Sequence, residues 1–387
     1  MGALSEQRAA IRDQFRRFMQ RELEPLTPQL ESGEVLPYPL IKRMVAELGL
    51  VLDDEPGQTR SAQPRVRDPE RDALLRFAQT QLTVEIGRVN PGFLLSYGAS
   101  VGLFAGNVRS KGTAEQIARY VPPVLRGDEI GCWCLTEPEA GSDALGAMRT
   151  RARRDGDGYV LDGEKTFITN APFADCFLVY AKDDAGDVQA FLIERGTPGL
   201  STSKPFAKMG MRSSPTGAVY LADVRVPHES LLGGGISDRA HVRKSLASER
   251  IGLAVMGYAI AERCFEIAVQ YAKTRVQGGR PIAEYQLIQQ RLARMYVALS
   301  NARRIVYASD EVSALDACAG KLYVAEVGSF VAQEAIHILG GNGYMEEYVV
   351  ERMARDAKLV EIGGGTTEIQ ILTIARHILQ DSDASRP

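Results

Sequence analysis

The sequence LTEPEAGSD, at residues 135–143, separates a helical first third of the chain from a strand-rich middle. It follows a mostly apolar run, so we expect a β-strand that ends in a loop with exposed backbone N–H groups and side-chain oxygens. Thr136 and Ser142 can hydrogen-bond a polar ring edge or a phosphate, and Gly141 lets a bulky ligand approach the backbone. An ordinary acidic turn, shaped by Pro138 and Gly141, explains the stretch equally well.

Composition narrows the class of protein. The chain has 387 residues, 45% of them hydrophobic, which predicts a well-buried globular protein of two or three packed units. A formal charge of −3 offers no polycationic face, so we expect binding to neither nucleic acid nor membrane. The N-terminus is charged, and no apolar run is long enough to span a bilayer. These features predict a soluble, cytoplasmic protein.

Cysteine usage fits a reducing compartment. Five cysteines are scattered along the chain, an odd number that is typical of reduced thiols in a cytosolic enzyme. Cys132 and Cys134 form a C-x-C pair, but no second Cys or His pair stands at ligand spacing. We therefore expect no metal site.

Periodicity predicts the first 129 residues to be an all-helical domain. Apolar residues at three-to-four spacing indicate a helix over residues 6–30, ended by Pro25 and Pro28. Further helices are predicted at residues 38–48, 69–89, from 91 onward, and 113–125. Residues 53–69 lose all periodicity and are predicted to form a surface loop.

The pattern changes to short β-branched runs over residues 130–232, separated by Asp-Gly, Gly-Asp and Pro-Gly turns, which predicts a middle antiparallel β-domain. Strands are expected at residues 159–161, 166–169, 176–180, 188–193 and 218–221. Gly233, Gly234 and Gly235 then form a joint to a C-terminal long-helix bundle over residues 233–387. Its helices are expected at residues 238–275, 284–309, 317–339, 345–356 and 366–379. The predicted class is α+β, in the order α, β, α.

Two glycine clusters resemble nucleotide loops only weakly. They lie at residues 340–343 and 363–365, and both follow helices rather than standing in a strand–turn–helix unit. We expect them to let helix ends approach a flat or phosphate-bearing ligand.

Six segments, in this order, resemble the acyl-CoA dehydrogenase flavoprotein family. They are LTEPEAGSD, GEKTFITNA at residues 163–171, MGMRSSPTGAVYLADVRVP at 209–227, the run from Arg275 through RPIAEYQ to Gln286, HILGGNGY at 337–344, and RDAKLVEIGGGTTEIQ at 355–370. Their order and spacing match the family from about residue 110 to 380. The resemblance implies the family fold, bound FAD, and oxidation of an acyl thioester across Cα–Cβ. Residues 53–69 depart from the family, which usually has a glycine-rich segment there.

The resemblance assigns two sequence segments to the flavin ring. Thr136 and Thr169 would donate hydrogen bonds to ring atoms, and Ser142 would also face the pantetheine arm of the substrate. Phe167 stands where the family usually has Trp, so it keeps a stacking face but loses the indole N–H. The full set of flavin contacts implied is Trp133, Cys134, Leu135, Thr136, Gly141, Ser142, Phe167, Ile168 and Thr169.

A second group of residues would reach the FAD of a neighbouring subunit, which implies a homodimer or homotetramer. The resemblance places Arg275, Gln286, His337, Gly340 and Gly341 at the pyrophosphate and adenosine. Gly278 and His337 replace a common Phe and a common Gln, so the adenine side departs from the family pattern. Thr366 and Glu368, in the C-terminal segment, are also assigned to the cofactor. Taken without the resemblance, Arg275 is equally well explained as a solvated charge at a helix end.

The catalytic base is the main departure from the commonest family pattern. Many relatives carry a Glu just before the Gly-Thr of the C-terminal segment, where this chain has Gly364. Isovaleryl-type and long-chain members instead place the base in the long helix after the β-domain, and LASERIGLA puts Glu249 there. Arg250 and Gly365 would lie on the substrate side. From the residues alone, Glu249 and Arg250 are more simply a surface ion pair.

Two classes of function follow. The first is an acyl-CoA dehydrogenase that passes electrons to an electron-transfer flavoprotein. The second is a family member with redirected or lost chemistry, either a dehydrogenase for acyl groups on a carrier protein or a non-catalytic partner subunit. Retention of Glu249 argues against a non-catalytic subunit.

Overall fold

The computed structural model describes residues 3–50, 68–235, 239–308 and 312–380. The loop predicted at residues 53–69 therefore lies, apart from its last two residues, outside the described part of the chain.

The first third is helical, as predicted, and its helix ends follow from local capping. Asp68 accepts hydrogen bonds from the backbone N–H groups of Glu70 and Arg71, and Thr113 forms a capping box with Gln116. The first predicted helix is broken by a π-helical turn, Met19–Leu23. The helices are α1 Ala3–Phe18, α2 Thr27–Ser32, α3 Tyr38–Leu48, α4 Pro69–Val89, α5 Pro91–Tyr97, a π-helical segment Gly98–Ala105, α6 Gly106–Lys111 and α7 Ala114–Arg126.

The middle of the chain forms one seven-stranded sheet, mostly antiparallel. Its strands are β1 Gly131–Cys134, β2 Arg151–Asp155, β3 Gly158–Thr169, β4 Cys176–Lys182, β5 Val188–Glu194, β6 Leu200–Thr202 and β7 Thr216–Pro227. The order is β1-β4-β2-β3-β7-β6, with β5 paired to β4. The pairings of β4 with β1 and β2 are parallel. The strands predicted at residues 159–161 and 166–169 are one strand, β3.

Strand β3 carries an irregularity that matters for the site. Its register against β7 shifts between Lys165 and Ile168, and Phe167 adopts a φ of 57° at this point. A bulge of this kind redirects a side chain out of the regular alternation. Phe167 accordingly turns outward, while Ile168 is buried in the sheet core.

The last third is a bundle of long helices: α8 Arg239–Thr274, α9 Gln286–Val306, α10 Ala314–Leu339, α11 Val350–Ile362 and α12 Thr367–Gln380. A small hairpin of β8 Val276–Gln277 and β9 Arg280–Pro281 joins α8 to α9. Helices α8 and α10 cross closely at two glycines. A Cβ added at Gly328 would lie only 3.1 Å from the carbonyl oxygen of Gly257. Such backbone contact fixes α8 firmly against its neighbour.

Within the described ranges, three hydrophobic cores hold these layers together. The largest is shared by the N-terminal and C-terminal helices, so α1–α4 pack on the long bundle rather than on themselves alone. A second core lies within the sheet, and a third joins the sheet to the π-helical segment, α6 and α7. The five cysteines are free and buried.

No described helix is both long enough and apolar enough to span a membrane. Within the described ranges, His, Cys, Asp and Glu side chains form no group that could hold a metal ion.

Candidate active site

A buried ion pair anchors the loop that follows β1. Lys165, on β3, donates from Nζ to Glu137 Oε1 at 2.8 Å and to the carbonyl oxygen of Leu135 at 3.2 Å. Glu137 also accepts from the backbone N–H groups of Arg149 and Thr150. Burial raises the pKa of the Glu137 carboxyl, but Lys165 and the other donors outweigh it, so the net pKa lies below its usual value. Both side chains are essentially inaccessible, and the pair fixes the loop rather than offering a charge to a ligand.

The two segments predicted to meet the flavin are neighbours in space. The backbone N–H of Thr166 donates to the carbonyl oxygen of Thr136 at 2.9 Å, so the loop after β1 lies against the end of β3. Phe167 is 70% exposed beside this junction, and its ring makes an edge contact with Phe206. A Cβ added at Gly141 would meet nothing within 4 Å, so the loop is open there.

Several residues predicted to contact the flavin point into the protein instead. Cys134, Leu135 and Ile168 are buried in the cores around the sheet, so only their backbone atoms can face a ligand at this edge. Trp133 donates from Nε1 to the hydroxyl of Tyr180 at 3.1 Å. Thr136, Gly141, Ser142, Phe167 and Thr169 retain accessible surface.

The π-helical segment connects this edge to α8. Ser100 accepts a hydrogen bond from the backbone N–H of Gly131, at the start of β1, at 2.9 Å. The segment also packs against α8. Just beyond it, the amide oxygen of Asn107 accepts from Ser245 Oγ at 2.6 Å. Ser245 lies one turn before Glu249 on α8, so these contacts set the position of that turn relative to the sheet.

Glu249 lies against the C-terminal glycine turn. A Cβ added at Gly364 would stand 3.4 Å from the carboxyl carbon of Glu249 and 2.5 Å from Cδ1 of Leu253. Gly364 has a φ of 60°. As a glycine, it places no side chain of its own against Glu249. Burial raises the pKa of Glu249 to about 7, with Arg250 and Lys321 acting in the opposite direction. The two alternative base positions of the sequence analysis therefore converge on one point.

Three polar side chains surround this point. Arg250 donates to Cys318 Sγ at 3.3 Å, and its Nη2 lies 3.8 Å from where a Cβ of Gly365 would stand. Lys321, fully buried on α10, donates to the carbonyl oxygens of Glu361 and Gly365. Gln370 donates from Nε2 to the carbonyl oxygens of Gly364 and Gly365. Sequence reasoning missed Lys321 and Gln370, because neither adjoins Glu249 in the chain.

The other acids near the glycine turn already accept hydrogen bonds that favour their charged form. Burial raises the pKa of Glu361, but hydrogen bonds from Lys358 and Ser329 outweigh it and the net pKa is lowered. Glu368 is exposed, and its pKa is lowered by its own backbone N–H and by Thr366. Thr366 Oγ1 accepts from the backbone N–H of Ile369 and caps the start of α12. Of these acids, Glu249 alone has a pKa raised toward neutrality.

A separate exposed face carries the residues assigned to a neighbouring subunit's cofactor. Arg275, Gln286 and His337 are exposed, and so are Gly340 and Gly341. Tyr271 brings two parts of this face together: its hydroxyl accepts from Asn342 Nδ2 at 2.9 Å, and its carbonyl accepts from the backbone N–H of Arg275 at 2.8 Å. The side chain of Arg275 is directed to solvent and is open to a partner.

Comparisons with known proteins decide the family. Family models described as "Acyl-CoA dehydrogenase, middle domain" and "Acyl-CoA dehydrogenase, C-terminal domain" match residues 132–224 and 240–379. A probable acyl-CoA dehydrogenase of Bacillus subtilis, YngJ, is 36% identical over 97% of this chain and 99% of its own. The chain belongs to the acyl-CoA dehydrogenase family. It is therefore an FAD-dependent oxidoreductase whose reaction is the dehydrogenation of acyl-CoA.

Other acyl-CoA dehydrogenases show how far the likeness extends. Isovaleryl-CoA dehydrogenase from rice mitochondria is 39% identical over 77% of this chain and 75% of its own. An acyl-CoA dehydrogenase from Bacillus anthracis, solved in complex with FAD, superposes with a TM-score of 0.87 at 32% identity, covering 98% of this chain and 67% of that one. The prolyl acyl carrier protein oxidase AnaB superposes with a TM-score of 0.85 at 28% identity, covering 98% and 99%. The fold therefore also occurs in a protein named for a carrier-bound substrate.

The residues at the sheet edge fit a flavin. The exposed ring of Phe167, held outward by the bulge, offers a flat apolar surface beside Thr136 and the open backbone at Gly141. The ion pair of Glu137 and Lys165 keeps that loop in place.

Proposed function

We propose that this chain oxidises an acyl thioester to its α,β-unsaturated product, with Glu249 as the base that removes the α-proton. The observation that carries the proposal is the position of the Glu249 carboxyl group, 3.4 Å from where the Cβ of residue 364 would stand. Relatives that carry a base in the C-terminal segment place it at the position of Gly364. A carboxylate from α8 occupies that space here.

The environment of Glu249 suits a base for a weakly acidic C–H bond. A carboxyl group with a pKa of about 7 is partly ionised at neutral pH and is a stronger base than an exposed carboxylate. Glu249 would take the proton from Cα and become a neutral acid, which its buried surroundings favour. The two C–H bonds at Cα and Cβ break, and the Cα=Cβ double bond forms. Bound FAD supplies the hydride acceptor for the hydrogen that leaves Cβ.

Thr136, Phe167 and Thr169 would hold the flavin ring at the sheet edge, with Ser142 toward the pantetheine arm. Thr136 and Thr169 can donate hydrogen bonds to polar ring atoms, and Phe167 can cover one edge of the ring. Arg250 and Gly365, which lie close together at the glycine turn, would meet the substrate near its thioester. The accessible surface of these side chains supports the assignment.

Arg275, Gln286 and the segment from His337 to Gly341 would bind the pyrophosphate and adenosine of a second copy's FAD. Large apolar residues next to these in the chain are also exposed: Leu287, which follows Gln286, is 74% accessible, and Tyr344, three residues after Gly341, is 79% accessible. Exposed apolar surface rimmed by polar residues is typical of an interface between proteins. We therefore infer a homodimer or homotetramer. From membership of the family we also propose that an electron-transfer flavoprotein accepts the electrons.

The variant Glu249→Gln tests the base directly. Gln keeps the size and hydrogen-bonding shape but cannot accept the α-proton, so flavin reduction by the best acyl-CoA should slow by about 10²–10⁴-fold. Purified protein should retain its FAD and its folded circular dichroism spectrum. Glu326→Gln is the matched control, because Glu326 is exposed on α10 and is assigned to neither the cofactor nor the substrate. Flavin reduction at the wild-type rate in Glu249→Gln would exclude Glu249 as the base.

A carrier-protein substrate is the second candidate function, and its support is the likeness to AnaB. Free CoA has a nucleotide end that needs protein contacts, whereas a pantetheine carried on a protein does not. Anaerobic titration should therefore compare an acyl-CoA with the matching acyl-pantetheine and acyl carrier protein. Tighter binding of the acyl-CoA supports the dehydrogenase of free thioesters, and faster reduction by the acyl carrier protein supports the second candidate.

A further inference from the structure

Lys321 is a buried cation next to the site that has no carboxylate in hydrogen-bond contact among the described residues. Its side chain has no accessible surface. Its Nζ donates to the carbonyl oxygen of Glu361 at 3.0 Å and to that of Gly365 at 2.8 Å. Neutral carbonyls replace only part of the hydration that an ammonium group loses on burial. Because burial of this ammonium group costs free energy, its presence here suggests a functional role.

The two acceptors of Lys321 are the ends of one turn. Glu361 lies in the last turn of α11, and Gly365 precedes α12, so the ammonium group bridges the ends of the glycine turn at residues 363–365. Gly364, in the middle of that turn, lies against the carboxyl group of Glu249. A shift of the turn would therefore change the wall that Glu249 touches.

The charged groups around Glu249 lie on four helices. Arg250 lies on the same helix, Lys321 is on α10, Glu361 ends α11, and Glu368 begins α12. Burial, and to a smaller extent Arg250, lower the pKa of Lys321 to about 8, and Glu249 is the first of the acids that act in the opposite direction. Glu361 is held by Lys358 and Ser329, and Glu368 is exposed. Among these acids, Glu249 has no hydrogen-bonded cation within the described part of the chain.

We propose that Lys321 is a positioning residue for the base: it fixes the glycine turn against Glu249 and supplies the positive charge that favours the carboxylate form of Glu249. The inference rests on the proposed role of Glu249. Lys321 touches neither substrate nor cofactor in this assignment and acts only through Glu249 and the turn.

Gln370 provides a matched control. Its Nε2 donates to the carbonyl oxygens of Gly364 and Gly365, so it holds the same turn without carrying a charge. Gln370→Met should loosen the turn and lower the rate at every pH. Lys321→Met removes both the hydrogen bonds and the charge, so it should lower the rate and also move its pH dependence.

The test measures anaerobic flavin reduction by acyl-CoA from pH 5.5 to pH 9 in the FAD-loaded enzyme. In Lys321→Met and in Lys321→Gln, which can still donate to a carbonyl, the acid limb of the profile should move up by about one pH unit. Lys321→Arg should restore the wild-type limb, and Gln370→Met should leave it in place. A limb that stays fixed in both neutral Lys321 variants while the rate falls uniformly would overturn the electrostatic role.

A second measurement covers the case in which no Lys321 variant folds. The titration of Lys321 can be followed by NMR of selectively labelled lysine in wild type and in Glu249→Gln. Because the coupling between two sites is mutual, loss of Glu249 should lower the titration midpoint of Lys321. An unchanged midpoint overturns the proposal. If Glu249→Gln keeps full activity, Glu249 is not the base. That result differs from an acid limb of the pH–rate profile that stays in place in the Lys321 variants, which refutes only the role of Lys321.

Discussion

Moving the base from α8 to the glycine turn is the sharpest test of the site geometry. The starting variant, Glu249→Gln with Gly364→Glu, places a carboxylate at the other family position. A Cβ at residue 364 would lie 2.5 Å from Cδ1 of Leu253, well inside van der Waals contact, and a non-glycine residue at a φ of 60° is strained. The left-handed conformation costs about 1–2 kcal/mol and overpacking about 1–3 kcal/mol. We therefore expect a loss of roughly 2–5 kcal/mol of stability and little recovered activity.

Adding Leu253→Ala should relieve the obstruction. Leu253 is 5% exposed, so its truncation alone should cost about 2–5 kcal/mol by leaving a cavity. With Glu at residue 364, the new side chain fills part of that cavity, and the two changes should couple favourably by about 1–3 kcal/mol in a double-mutant cycle. The triple variant should also recover part of the rate of flavin reduction, because the Cβ that carries its new carboxylate stands 3.4 Å from the position of the Glu249 carboxyl carbon.

Two measurements check this cycle. Denaturant unfolding of Leu253→Ala, Gly364→Glu and their combination gives the coupling energy, and anaerobic rapid mixing with acyl-CoA gives the rate of flavin reduction. Glu249→Gln alone sets the baseline. The steric argument is refuted if Gly364→Glu restores the rate as well with Leu253 intact as without it. Convergence of the two positions is refuted if the triple variant folds, holds FAD and still shows only the baseline rate.

Four further outcomes are expected. With Glu249 as the proposed base, flavin reduction uses its carboxylate form, so the rate should rise as pH rises through about 7. The stabilising contribution of the neutral acid is lost between pH 4.5 and about 7, so Glu249→Gln should gain up to about 3 kcal/mol relative to wild type over that window in pH-dependent denaturant unfolding. Phe167→Ala should weaken FAD binding, measured by flavin fluorescence, while changing stability by no more than about 0.5 kcal/mol, because the ring is exposed. Lys165→Met should cost about 3–5 kcal/mol by leaving the Glu137 carboxylate buried alone, and adding Glu137→Gln should recover part of that loss. Arg275→Ala should lower FAD occupancy and the oligomeric mass together in light scattering; full FAD at high dilution would contradict the intersubunit assignment.

Local signals in the sequence predicted most of the helices. Gly49 and Asp68 act through their own backbone and side chain, and α3 and α4 end and begin where these residues predict. Strand β2 was missed because its sequence, RARRD, carries a single buried residue, Ala152, and no apolar alternation. Its place in the sheet comes from pairing with β3, which short-range patterns cannot show.

Residues of the candidate site could be predicted where the family resemblance specified a position. They could not be predicted where they depend on contacts between residues far apart in the sequence. Glu249 was placed from the resemblance, and the structure puts it beside Gly364. The neighbouring sequence does not reveal the roles of Lys165, Lys321 and Leu253. A buried lysine has the same local sequence pattern as an exposed one, and the contact of Leu253 with the glycine turn joins distant parts of the chain. Burial of a charge depends on partners far away in the sequence, here Glu137 for Lys165 and backbone carbonyls for Lys321.

The proposed base on α8 changes the structural role of the glycine turn. A base on the turn must hold its own side chain in a left-handed loop, whereas Glu249 stands on a helix whose position is set by close packing against α10. The turn then needs only to leave space, which Gly364 does, and to remain in place, which Lys321 and Gln370 secure through its carbonyl oxygens. Leu253 fills the volume that a side chain at residue 364 would need. The two base positions are thus mutually exclusive in this chain for a steric reason, and exchanging them requires the change at Leu253 as well.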